Sequence, residues 1–273
     1  MARAVRGTMS GLCLLGLLVQ VGYALSGYQA EALMLEGLEA GKRSGPEAAL
    51  QFYLRAEAWD PGDPQLLYLQ GLQWGKLRKI PEAKAAYARS LELAPEVPVT
   101  LIMYAEVLAL SGEAHAAEVA IDRALEIVPA DSMAQEIGGL VRGVQGDHAG
   151  AAKHFERAVK LSTKPSPKLL NRLAYSLYKL RDHGGALRYV DRALVIDANH
   201  PDNHQLRGKI LLGMNRLDDA LIALASAERE YLRLLVASPS NKDKLAETRR
   251  YLTLARMTRD AARPAASQDD PSE

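Results

Sequence analysis

Cysteine is all but absent from this 273-residue chain, with Cys13 standing alone. A single thiol closes no intramolecular disulfide and builds no cysteine metal site. Net charge is equally scarce, 34 basic side chains standing against 33 acidic ones. That balance excludes a broad electrostatic grip on nucleic acid, which needs a net basic surface or stripe. The short run Lys242, Lys244, Arg249 and Arg250 is interleaved with Asp243 and Glu247 and reads as a solvated helix face. Aromatics are only 5% of the residues although 48% are hydrophobic, which suits helices built from Ala and Leu. No nucleophile motif, catalytic carboxylate pair or phosphate loop is present, and Gly138-Gly139 falls inside an expected helix without the strand that a phosphate loop follows. His200 and His204 flank a helix start at Pro201, so they need not point together, and no third ligand stands at a readable spacing. No catalytic residue, metal, cofactor or small-molecule substrate is therefore assigned, and the chain reads as non-enzymatic.

What the chain does have is a period. A small residue is followed four on by a large apolar one and seven on by Ala or Ser, in Ala49/Tyr53/Ala56, Ala83/Tyr87/Ser90, Ala117/Ile121/Ala124, Ala151/Phe155/Ala158, Ala186/Val190/Ala193 and Ala220/Leu224/Ala227. The first members lie 34, 34, 34, 35 and 34 residues apart, and Pro61, Pro95 and Pro129 close the early copies. Positions three or four apart share a helical face, so the small members admit a neighbouring helix and the large one fills the gap beside them. Such regularity predicts an all-α solenoid of helix pairs in which no unit buries its apolar face alone.

The second copy also carries Leu67, Gly71, Trp74, Ile80, Leu91 and Leu93, and the third Leu101, Tyr104, Ala105, Leu108 and Gly112. With the 34-residue interval and the closing Pro, the pattern resembles the tetratricopeptide repeat family over roughly residues 30–235. The fourth copy departs, with Gln135, Gly138 and Arg142 where large apolar residues belong, so its first helix is expected to pack least well. The repeats run 30–63, 64–97, 98–131, 132–166, 167–200 and 201–237, followed by a capping helix over 238–262 and a disordered tail over 263–273. The extra residue of the fifth interval is expected in the turn over 162–167, since a turn absorbs an insertion more cheaply than a packed helix.

Residues 1–29 read as a signal anchor or a signal peptide. The stretch 9–25 is uncharged, Arg3 and Arg6 precede it, and no further cation follows until Lys42. Its length permits a membrane span through residues 8–26, while Ala24-Leu25-Ser26 offers a cleavage site. The charge asymmetry predicts a single-pass inner-membrane protein with its repeats outside the cytoplasm, or an exported soluble one after cleavage. The layout resembles envelope adaptors of bacterial type, and the rival reading is a soluble regulatory or co-chaperone module.

The resemblance also implies a concave groove lined by first helices, with a protein partner as its occupant. By the family's register the fifth repeat contributes Lys168, Asn171, Tyr175, Tyr178 and Lys179, opposite the packing face of Leu170, Leu173, Ala174 and Leu177. Neighbouring repeats add Tyr68, Lys76, Gln205 and Lys209. The amide and lysines suit a peptide backbone or carboxylate and the tyrosines an apolar side chain. A chaperone-type carboxylate clamp is not assigned, because Ile102 and Glu106 break its pattern.

Overall fold

The computed structural model describes residues 27–235 and 241–262, and among these it contains thirteen helices and no strand. Helix α1 covers 27–44. The others are α2 (Pro46–Glu57), α3 (Pro64–Lys76), α4 (Ile80–Leu93), α5 (Pro98–Leu110), α6 (Ala114–Ile127), α7 (Ser132–Val144), α8 (His148–Leu161), α9 (Pro167–Lys179), α10 (His183–Ile196), α11 (Pro201–Gly213), α12 (Leu217–Leu235) and α13 (Lys242–Ala262). They fall into two compact units, Met1–Val128 and Pro129–Glu273. In the first, each of α2 to α6 packs on the next and α3 touches α5; in the second the same holds from α7 to α13, with α7 touching α9, α9 touching α11 and α11 touching α13.

Local chemistry sets the helix ends. Asp63, Asp131 and Ser166 cap α3, α7 and α9 by accepting from the backbone N–H of Gln65, Ala134 and Leu169. Pro64, Pro98, Pro167 and Pro201 open their helices, where a missing N–H costs nothing. Three-residue turns join α3 to α4, α5 to α6, α7 to α8, α9 to α10 and α11 to α12, and each has one left-handed residue: Arg78, Gly112, Gly146, Arg181 and Asn215, with φ of 57°, 83°, 82°, 64° and 57°. Glycine takes that conformation without strain, whereas Arg and Asn are there because the two flanking helices fix the turn. Between α8 and α9 lie five residues, 162–166, against four at 94–97 and 197–200, so the inserted residue sits in the expected turn.

The alternating small and large residues form the core. Ala83, Ala117, Ala151, Ala186 and Ala220 are fully buried, as are the large members beside them. Each large side chain needs room on the preceding first helix. A Cβ on Gly71 would sit 2.6 Å from the Tyr87 ring, one on Gly139 2.6 Å from Phe155, and one on Gly208 2.5 Å from Leu224. Where the large member is the slimmer Ile121 or Val190, the same register position is Ala105 or Ala174, both buried. Helix α7 meets part of its departure from the apolar pattern with polar partners. Buried Gln135 donates to Pro129 O at 2.9 Å and meets His154 Nδ1 through Oε1 at 2.8 Å, and the His154 ring covers Gly138, so a satisfied polar pair takes the place of the apolar seam.

The single-pass inner-membrane placement is not upheld. Among the described residues no helix is long and apolar enough to cross a membrane. The segment on which that expectation rested, and the proposed cleavage site at Ala24-Leu25-Ser26, lie outside the described residues.

Candidate functional site

Helix α9 is built to show one face. Its cap and Pro167 fix the start, and Leu169, Leu170, Leu173, Ala174 and Leu177 are buried. The remaining stripe leaves Lys168, Tyr175 and Lys179 exposed and Asn171 and Tyr178 half-buried. Burial raises the pKa of the Tyr178 phenol, as does the neighbouring Tyr251, so it stays neutral and able to donate.

On one side of this stripe, α7, α8 and α9 enclose a recess of about 220 Å³. Gly139 and Gly143 form its floor, Leu140 and Val144 its far wall, and Tyr175 its lip, with the His148 ring edge-on to Tyr175 at 6.1 Å. On α7 it is Gly143 that keeps the recess open, a Cβ there meeting only Ala151 at 3.9 Å, whereas the place of a Gly139 side chain is taken by the Phe155 ring. Its inner rim carries the Arg172–Glu136 ion pair at 2.6 Å, both side chains largely buried, tying α9 to α7.

The polar members are less free than the sequence suggested. Asn171 donates through Nδ2 to Oδ1 of buried Asn203 at 2.6 Å. Gln205 is itself buried and donates to Thr248 Oγ1 at 2.9 Å on α13. Lys209 pairs with Glu247 at 2.6 Å and lies over the Tyr251 ring at 4.6 Å. These three therefore join successive first helices and α13. In the first unit Tyr68 packs on Tyr87 with ring centroids 6.0 Å apart and borders a separate recess of about 360 Å³, while Lys76 is exposed and bonds Gln73 at 3.3 Å.

Within the second unit, then, α9 presents Lys168, Tyr175, Tyr178 and Lys179, and Asn171, Gln205 and Lys209 serve as rungs. Sequence reasoning missed Gly139, Gly143 and Tyr251. Gly143 was the available signal for the recess, since a side-chain-free position on a helical face leaves a hollow where no neighbour fills it. At the other end of α11, His204 Nε2 lies 2.8 Å from Ala198 O, which engages it locally.

Helix pairs of fixed length, left-handed three-residue turns in register and small-on-large packing define an α-helical repeat scaffold. Residues 139–204 match the tetratricopeptide repeat family, and the helical-repeat fold extends on both sides of that stretch. No curated protein matches it in sequence. Among solved structures it resembles a chain of the APC/C hetero-tetramer Cut9-Hcn1, with a TM-score of 0.69 and 16% identity, over 81% of this chain but only 43% of that one. It also resembles pilF of Pseudomonas aeruginosa (TM-score 0.63, 21% identity, 81% of this chain and 99% of that one). A third likeness is to PilW, a type IV pilus biogenesis factor (TM-score 0.62, 17% identity, 77% and 94%).

Proposed function

We propose that this chain is a non-catalytic scaffold that binds a peptide segment of a partner protein along the first helices of its second unit. The recess over Gly139 and Gly143 carries the reading. It is open, mainly apolar, and lipped by Tyr175, which is 45% exposed and spends its surface on no core contact that α9 needs. An apolar side chain entering it buries area against Leu140 and Val144 while Tyr175 closes over it, the arrangement of an anchor residue in a pocket. This is the behaviour of a regulatory or co-chaperone module. The structural relatives belong to unrelated assemblies, so the likeness supports the scaffold and leaves the partner to be found at the site.

The test is to select peptides from a displayed random library on the full chain, then to measure their binding to Gly143→Leu and Tyr175→Ala. A Cβ on Gly143 meets only Ala151, at an ordinary 3.9 Å, so a side chain can start there and extend into the recess. Both variants should keep the wild-type unfolding midpoint and lose at least about tenfold in affinity, as for loss of an interface anchor. Selected peptides that bind both variants as well as the wild type exclude the recess.

A further inference from the structure

A second recess lies farther along α9, where its last turn, the end of α11 and the middle of α13 converge. It holds about 490 Å³, and Lys179, Arg181 and Lys209 stand round an apolar surface of Tyr178, Tyr251 and Leu254. Among the described residues no carboxylate lines it. Lys209 is taken by Glu247 of α13, whereas Lys179 and Arg181 make no ion pair among the described residues. Both are exposed, and Leu254 is 53% exposed. The Lys209–Glu247 pair is an internal example of how this wall receives a carboxylate: the acid meets the ammonium while that same ammonium lies over the Tyr251 ring.

We propose that this recess takes an acidic segment of a partner protein, with carboxylates on Lys179 and Arg181 and a neighbouring aliphatic side chain on Tyr178, Tyr251 and Leu254. It rests on the reading of the second unit as a peptide-binding surface and adds the chemistry of the ligand. Two cations without counter-charge make the approach of an acid favourable and sensitive to salt. The neutral Tyr178 hydroxyl offers a donor and no repulsion. A nucleic-acid strand is the other polyanion that such cations and tyrosines meet, but two free cations match few phosphates and the net charge of +1 steers no polyanion from afar.

The experiment is fluorescence anisotropy on the full chain, using a short labelled peptide of alternating Glu and Leu, its Gln-for-Glu counterpart, and a labelled oligothymidylate. The Glu peptide should bind at least about tenfold tighter than the Gln peptide, with the difference shrinking as salt rises. Lys179→Glu with Arg181→Glu should abolish the preference at unchanged helicity, and Lys179→Gln with Arg181→Gln should reduce it. Absence of Glu-peptide binding at low salt, equal binding of the two peptides, indifference to both double variants, or oligothymidylate binding as tight as the Glu peptide would each overturn the proposal. The Gly143→Leu test on library-selected peptides reads the other recess, so the general peptide-binding reading stands or falls separately.

Discussion

Asn171 passes its amide hydrogen to Asn203 across 2.6 Å, from the first helix of one repeat to the first helix of the next. Asn203 is buried, and its own Nδ2 has no hydrogen-bond partner among the described residues, so the shared bond is all that its side chain receives there. Asn171→Ala should therefore destabilise the chain by about 1–3 kcal/mol, the cost of leaving a buried acceptor unsatisfied. Replacing both by Leu should cost less than the single change, since no polar atom is then stranded. Urea unfolding of the two variants decides it, and a single variant as stable as wild type would remove the rung from the account.

Gly71 and Tyr87 should behave as one packing unit. Gly71→Ala puts a methyl 2.6 Å from the ring and should cost about 1–3 kcal/mol by overpacking. Adding Tyr87→Ile copies the third repeat's Ala105 and Ile121, and should recover part of the loss. A double-mutant cycle without a favourable coupling energy would contradict this pairing.

The left-handed turn positions separate backbone strain from packing. Gly146 has φ 82° and open space where a Cβ would stand, so Gly146→Ala meets no neighbour and should lose about 1–2 kcal/mol through its dihedral alone. Arg78→Gly, at φ 57°, should be neutral or stabilising by up to about 1 kcal/mol, relief of strain outweighing the added freedom of the unfolded chain. Thermal unfolding checks both, and the reverse order of effects would refute the argument.

Acid should loosen α13. Burial by itself would raise the pKa of Asp202, but hydrogen bonds from Tyr231 and Lys244, with the Lys244 charge, hold it below the ordinary carboxylate value. A depressed folded pKa means that the stabilisation is present above the unfolded value, about 3.9, and is lost as pH falls through the folded one. Hydrogen exchange corrected for its intrinsic rate should show α13 losing protection relative to α9 below about pH 4. Asp202→Asn should flatten that dependence, and equal protection of the two helices throughout would count against it.

Periodic features were readable because each is written several times. The Ala, large, Ala series announced the core, and Pro167 and Pro201 announced helix starts, since each acts within its own few residues. Arg78, Arg181 and Asn215 hid their turns because a left-handed residue is recognised in sequence by glycine, and here neighbouring helices impose the conformation instead. Asn171, Gln205 and Lys209 looked free for a different reason. Their partners Asn203, Thr248 and Glu247 lie 32, 43 and 38 residues away, beyond any local pattern. The recess beside Gly143 was missed because a glycine inside a helix marks a hollow only once the neighbouring helices are placed around it.

The matching of Gly71 to Tyr87, Gly139 to Phe155 and Gly208 to Leu224 bears on how such a chain is able to grow. Knob and socket lie 16 residues apart on the two helices of one pair, so a break in the between-pair turn carries both into a duplicate. A break in the three-residue turn inside a pair would instead set an aromatic ring over an alanine methyl. The heritable module is therefore the hairpin that begins with a first helix, and the tolerated junction is the loop where the extra residue of 162–166 already sits.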